Sequence, residues 1–288
     1  MTLRAAGVLA VTVASSAGAG CSLLSDTSGF ACGSGEICGD DAAVPDPTGQ
    51  PSDGGNAVPD ASATSDGGDG GVTIVLPKEV ARWRFEEGAG STAFDSSGNG
   101  NTGTIKNGAP WSTGKFGGGL DFDGISQHVV VASSASLERT FTEVSLTAWV
   151  FRRARQGGFR AVLQRSAGTV TEDLLFFGFR DNAYYAKLMT TPGISTSLTG
   201  GSPPTDTWIH LAFTYDGASA RLYANGDLVA SNGLTGTVVA DTTPLAIGTG
   251  YNSGVLDPTE AVDAIIDDVR IYDSALDAKQ VAGVASGQ

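Results

Sequence analysis

From Val72 onward the chain alternates short apolar runs with polar positions, broken every ten residues or so by Gly, Asn, Asp, Ser or Pro. That is the pattern of many short strands, not of helices. The runs predict strands over 80–85, 119–122, 128–131, 144–151, 160–165, 174–179, 183–189, 208–215, 220–224, 228–231, 244–248 and 264–272. In the run at 208–215, Ile209, Leu211, Phe213 and Tyr215 form one strongly apolar face, so Trp208, His210, Ala212 and Thr214 point the other way. Asn225-Gly226, between RLYA and DLVAS, is the signal of a two-residue type I′ hairpin, because both central residues must take φ > 0. One helix closes the chain, with Asp277 as its cap and Gln280 reaching back in a capping box. Even-spaced strands with a single terminal helix predict one all-β, two-sheet antiparallel sandwich over 72–288.

Residues 22–71 have a different texture. They hold nine acidic residues, no basic one and almost no bulky apolar side chain. Such a stretch buries too little to offset its ordering entropy, so 21–71 is expected to be a flexible acidic tether. It carries most of the chain's net charge of -14, which excludes a surface built to grip nucleic acid. Two histidines, three cysteines and two methionines leave little material for a His-based metal centre, a haem or a redox site.

Residues 1–20 have the layout of a cleaved secretory signal: Arg4, an apolar stretch from Ala5 to Ala14, then small residues. Ala17-Gly18-Ala19 fits an ordinary A-x-A cleavage site, whereas Ala19-Gly20-Cys21 resembles the bacterial lipoprotein box, with Gly18 where a Leu-like residue is usual. If Cys21 carries lipid, Cys32 and Cys38 remain to pair in an oxidising compartment, and the odd cysteine count is accounted for. This predicts an exported protein: an outer-membrane lipoprotein if the Ala19-Gly20-Cys21 box is used, or a secreted one if Cys21 is a plain residue. Contact with a membrane is then expected through the lipid anchor only.

Four passages together resemble one family: VARWRFEEGAGSTAFDSSGNGNTGT, FGGGLDFDG, TWIHLAFTYDG with ARLYANGDLVAS, and IDDVRIYDSALDAKQV. In this order they resemble the LamG-like, concanavalin A-like jelly-roll domain, from about Val80 to the end of the sequence. The resemblance implies two packed antiparallel sheets, often a structural calcium ion, and modules that bind glycans or proteins or serve as spacers. Fold alone names no ligand, because it hosts lectins, hydrolases and inert modules alike.

Alternation within 265–272 places Asp267 with Ile265, Val269 and Ile271 on the apolar face, and Asp268 with Arg270 and Tyr272. A carboxylate facing a core is costly unless a metal or donors satisfy it. The D-x-V-R-x-Y form also resembles the closing strand of laminarinase-type jelly rolls, where the Asp matching Asp267 binds calcium. The loop from Asp95 to Asn101 then offers further oxygen ligands, with Asp95 and Asn101 the candidates. The alternative makes the loop a Gly/Asn turn and Asp267 a partner of backbone N–H groups. Arg152, Arg153, Arg155 and Arg160 form the one basic cluster, either a grip for an acidic glycan or protein or a solvated turn. Tyr184-Tyr185 and the aromatics of 176–179 read as core or as sugar platforms, and His128 and His210 as structural residues.

The E-x-D-x-E strand of the laminarinase-type enzymes is absent, and the adjacent pairs Glu86-Glu87 and Glu172-Asp173 point to opposite faces when extended. The expected function is therefore non-catalytic binding of a glycan or an extracellular protein. A hydrolase using carboxylates distant in sequence, and a plain spacer, are the alternatives.

Overall fold

The computed structural model describes residues 74–153, 155–166, 173–252 and 255–288. The signal, Cys21, the Cys32/Cys38 pair and the tether lie outside the described residues.

In chain order the strands are β1 (Glu79–Trp83), β2 (Thr92–Ala93), β3 (Gly103–Lys106), β4 (Trp111–Thr113), β5 (Gly118–Asp123), β6 (His128–Val131) and β7 (Val144–Arg152). Next come β8 (Phe159–Ser166), β9 (Asp173–Arg180), β10 (Ala183–Thr191), β11 (Ile194–Gly200), β12 (Trp208–Tyr215), β13 (Ser219–Ala224) and β14 (Asp227–Gly233). The last are β15 (Thr237–Val238), β16 (Leu245–Ile247), β17 (Gly250–Asn252), β18 (Val255–Asp257) and β19 (Asp263–Tyr272), followed by helix α1 (Ala278–Ala285). The first sheet runs β14-β13-β12-β7-β19-β5-β4, with β1 also on β19. The second runs β11-β10-β9-β8-β16-β6-β3-β2, with β15 on β10. All these pairings are antiparallel, and the two sheets stack as the expected jelly-roll sandwich.

Every predicted strand is present within a residue or two at each end; the first, for example, ends at Trp83 and not Phe85. Asn225 and Gly226 both take positive φ, 52° and 90°, and turn β13 into β14. Asp277 and Gln280 form the capping box of α1. The pattern missed the short β2, β3, β4, β15, β17 and β18, and also β11, whose sequence ISTSLTG has too few bulky side chains to read as a strand and takes its register from β10 across the ladder.

Between the sheets lies one core. Leu120, Phe122, Val150, Phe213 and Ile266 from the first sheet meet Val129, Leu163, Phe177, Phe179 and Ile247 from the second, each fully buried. A side chain of this size contributes about 1.5–3 kcal/mol on burial, so this layer dominates the stability. A smaller cluster covers part of the outer face of the first sheet, where Leu276, Val281 and Val284 pack on Ala212, Tyr223 and Tyr272, with Leu76 alongside. The amphipathic C-terminal helix exists because that face offers it an apolar bed.

Candidate functional site

The outer face of the first sheet is built in rows across β12, β7, β19 and β5. One row is Trp208, Phe151, Ile265 and Asp121; the next is His210, Trp149 and Asp267. Further along, Ala212, Thr147 and Arg270 lie beside Thr214, Ser145 and Tyr272. The last two rows lie toward the C-terminal segment, where Ala212 and Tyr272 are packed and Ser145 Oγ donates to the Ser274 carbonyl.

A bulge decides what faces where. Between Asp267 and Arg270 one residue too many stands on β19 opposite β7, and Asp268 takes φ 47°. The alternation therefore changes phase: Ala264 and Ile266 face the core before the bulge, Val269 and Ile271 after it. Asp267 does not share a face with Val269 and Ile271, as unbroken alternation requires, but stands on the outer face in the row of Trp149.

The bulge has its own clamp. Asp268 accepts from Arg270 (Nη2, 2.6 Å) and from Arg82 (Nε, 2.8 Å) while almost fully buried. Burial alone would raise its pKa, but the hydrogen bonds and charges of the two arginines outweigh that and hold it below the usual carboxylate range.

Asp267 is held differently. Its Oδ2 accepts the Phe116 N–H at 2.9 Å, which pins the turn between β4 and β5 onto the sheet. Glycine makes that turn possible: a Cβ on Gly114 would stand 1.8 Å from the Gly118 carbonyl oxygen and 2.8 Å from Asp267 Oδ2, and one on Gly118 would meet the Phe85 carbonyl at 2.3 Å. The FGGG motif is thus a close-approach device. Burial, with the Asp268 charge adding to it against the backbone hydrogen bonds, pushes the Asp267 carboxyl up to about 7. Over the same row, Phe116 meets Trp149 edge-on at 5.8 Å and Lys115 Nζ sits 4.4 Å from the Trp149 ring.

The structure does not gather the three residues expected to hold calcium into one cluster. Asp95 and Asn101 do come together, but the Asp95 carboxylate accepts from Arg82 N, Ser97 N, Ser97 Oγ and Asn101 N. Burial would raise its pKa, and those bonds lower it overall. Asn101 Oδ1 accepts from the hydroxyls of Ser134 and Ser136. These oxygens are thus satisfied by local N–H and O–H donors without a cation. Asp267 is tied to the β4–β5 turn, with no hydrogen bond to that loop, and no group of three or more His, Cys, Asp or Glu suited to a metal exists among the described residues. The arrangement fits the alternative reading, carboxylates satisfied by local donors.

The four arginines are not one patch. Arg152 is fully buried, pointing between the sheets beside Phe179. Arg153 lies on the outer face, bridging Asp121 (2.6 Å) and Asp263 (2.7 Å). Arg160 turns to the Phe159 and Thr259 carbonyls, and Arg155 alone is exposed. Strand alternation separates Arg152 from Arg153, which the sequence motif could not show. His128 binds the Ser126 carbonyl through Nδ1 at 2.7 Å. His210 is fully buried with both ring nitrogens unpaired, and burial with the nearby Arg270 charge, against a pull from Asp268, lowers its pKa to about 3.

What remains open is the row of Trp208, Phe151 and Ile265, all half-buried, with the Asp121–Arg153–Asp263 network at its edge. Trp208 and Phe151 meet edge-on at 5.6 Å. A half-exposed aromatic side chain beside fixed charged donors and acceptors can stack on an apolar ring face while the charges bind the hydroxyls around it. The sequence carried a signal for it: Trp208 is a large aromatic on the non-core face of its strand.

A second polar group stands on the outer face of the other sheet. The Gln164 amide nitrogen lies 2.5 Å from Asp173 and 3.3 Å from Glu260. Burial first, then the charges of Asp173 and Asp257, pushes the Glu260 carboxyl up to about 7. These two carboxylates are far apart in sequence.

The sequence model of the Concanavalin A-like lectin/glucanases superfamily matches residues 123–282, more than half of the chain. No curated protein matches the sequence. Among solved structures, the binding domain of Paraclostridial Mosquitocidal Protein 1 is similar with TM-score 0.60 at 15% identity, over 72% of this chain and 52% of that one. Domain 4 of AbnA, a GH43 extracellular arabinanase from Geobacillus stearothermophilus, in complex with arabinotriose, matches with TM-score 0.52 at 21% identity, over 72% of this chain and 98% of that one. The botulinum neurotoxin serotype D ligand binding domain in complex with N-acetylneuraminic acid matches with TM-score 0.56 at 14% identity, over 73% and 51%. The chain spans about half the length of the toxin domains it matches.

Proposed function

Because the chain belongs to the concanavalin A-like lectin/glucanase superfamily, we propose that it is an exported binding module that takes a glycan on the outer face of its first sheet without chemical turnover. The observation that carries this is the half-buried Trp208–Phe151 pair flanked by Arg153, Asp121 and Asp263. An aromatic pair left at the surface has a hydrophobic cost that a stacked sugar face relieves, and the fixed ion network supplies directional partners for hydroxyls. Solved relatives in complex with arabinotriose and with N-acetylneuraminic acid support a glycan as the ligand class. Lipidation at Cys21, a Cys32–Cys38 disulfide and the tether place the module at an outer membrane on this reading; the support is the sequence layout. Among the described residues no helix is long and apolar enough to cross a membrane.

The test is a glycan array with wild type and Trp208→Ala. Retention of at least one glycan by wild type, with loss of roughly tenfold or more in affinity on removing the indole, supports the site. Equal binding by both proteins refutes the placement, and no binding at all refutes the ligand class. Membrane fractionation and intact mass test the anchor: a mature protein without lipid mass removes it.

A second reading rests on Glu260 and Asp173. One carboxyl held near 7 beside another is the pattern of an acid and its partner in glycoside hydrolysis. Turnover on a polysaccharide panel that disappears in Glu260→Gln favours this reading; absence of turnover leaves the binding module.

A further inference from the structure

Two arginines point between the sheets, one at each end of β7. Arg152 closes the strand, while Val144, its first residue, lines a cavity shared with Arg165 of β8. Both guanidinium groups are deeply buried and both keep two N–H groups without an acceptor among the described residues. Buried donors left unpaired are rare in native proteins, so each calls for an explanation.

The two cases differ in which donors are free. In Arg152 the free nitrogens are Nε and Nη1, and Nη2 between them donates to Asn182 Oδ1 at 2.6 Å. No continuous edge is left, and its planar face lies 5.0 Å from the Phe179 ring. In Arg165, Nη1 donates to the Leu137 carbonyl at 2.8 Å, and the free nitrogens are Nε and Nη2. Those two N–H groups lie side by side on one edge of the plane, the fork that matches two carboxylate oxygens.

Arg165 also has a space to face. The cavity measures about 40 Å³, room for roughly three waters or one carboxylate with its first carbon. Its walls are apolar side chains of both sheets, among them Leu146, Ile271, Leu188 and Leu245, with Phe141 toward the loops. Among the described residues Arg139 is the only other polar one lining the cavity, its side chain 47% exposed and paired with Asp273 at 2.5 Å. No acidic residue lines the cavity among the described residues. An apolar chamber with an unused bidentate guanidinium edge suits an anion that carries a hydrocarbon chain, since a sugar ring would leave its hydroxyls unpaired there.

We propose that this cavity is a second binding site, independent of the aromatic row, for the headgroup of an alkyl carboxylate: the carboxylate takes the Nε and Nη2 edge of Arg165 and the chain leaves past Phe141 and Arg139.

Hexanoate is the probe, added to the full chain in thermal melts and calorimetry, with hexanol as the uncharged chain and acetate as the bare headgroup. At about 10 mM, hexanoate is expected to raise the melting temperature of wild type and of Arg155→Ala by a few degrees, by mass action on the folded state. Hexanol and acetate should each do much less. Arg165→Met keeps the apolar bulk and removes the fork, giving up the hydrogen bond to the Leu137 carbonyl and the pull of the Asp241 and Glu138 charges, so it can melt below wild type but should show no hexanoate response. Arg165→Lys keeps a charge without the fork and should bind roughly tenfold more weakly. The proposal is overturned by no hexanoate effect in wild type, by an equal effect of hexanol, or by an undiminished effect in Arg165→Met. If Arg165→Met does not fold, the lysine variant and the hexanol comparison decide: equal hexanoate affinity in Arg165→Lys overturns it.

Discussion

The two halves of one sheet face are made by the same alternation on the same strands, yet they end in different states. On β12, Ala212 lies under Leu276, Val281 and Val284, while Trp208, four residues earlier and on the same face, is left half-buried. On β7, Ser145 is tied to the Ser274 carbonyl, while Phe151 on the same face is left partly open. The covered half contributes stability through burial. The open half keeps apolar area that a ligand can cover. An outward-facing aromatic is thus not informative alone; what matters is whether the chain returns to cover it.

The largest effect should come from breaking the clamp at the boundary between the halves. Asp268→Ala leaves Arg82 and Arg270 without their shared carboxylate in a buried site, and a loss of about 3–5 kcal/mol is expected in urea unfolding. A loss below 1 kcal/mol would mean that the bulge holds itself. Next is the covered half: Leu276→Ala should cost about 2–4 kcal/mol, with glycan affinity unchanged in the folded protein. Trp208→Ala should reverse that pattern, costing under about 1.5 kcal/mol while weakening binding, because the indole is only half-buried. If both variants lower stability and binding together, the two halves are not functionally distinct.

A smaller effect concerns pH. Asp267 and Glu260, with folded pKa values near 7, hold protons that the unfolded chain releases near 4, so each lowers stability as pH rises from about 4 to 7. His210, near 3 when folded, stays neutral while the unfolded residue is protonated below about 6.5, so it raises stability with pH over 3 to 6.5. The contributions oppose one another. His210→Gln should therefore make stability fall more steeply between pH 4.5 and 6.5, by up to about 1.4 kcal/mol per pH unit for the one lost proton. Parallel profiles for wild type and variant would show that His210 titrates as an exposed residue. The smallest effect is that of chelation: EDTA should leave the melting temperature unchanged within about 1 °C, since Asp95 and Asn101 use their oxygens on local donors. A fall of several degrees would restore the calcium expectation.

The sequence by itself determined what depends on local periodicity. Alternation found the inner face of β12, the Asn225-Gly226 pair found its hairpin, and Asp277 with Gln280 found the start of α1, because each signal lies within one element. It also placed Trp208 on the outer face. What it could not determine depends on a partner strand or on the return of a distant segment. The side of Asp267 was decided by one extra residue opposite β7, which no count along β19 alone reveals. The four arginines near 152–160 were sent to four environments by the sheet, the ion partners and the loops around them. Asp173 and Glu260, far apart in sequence, come together around the amide of Gln164 only in the folded chain. The unused edge of Arg165 exists only because two sheets close over it with side chains that offer no acceptor: a deficit of partners is a property of everything surrounding a group, and so it appears only once the chain is folded.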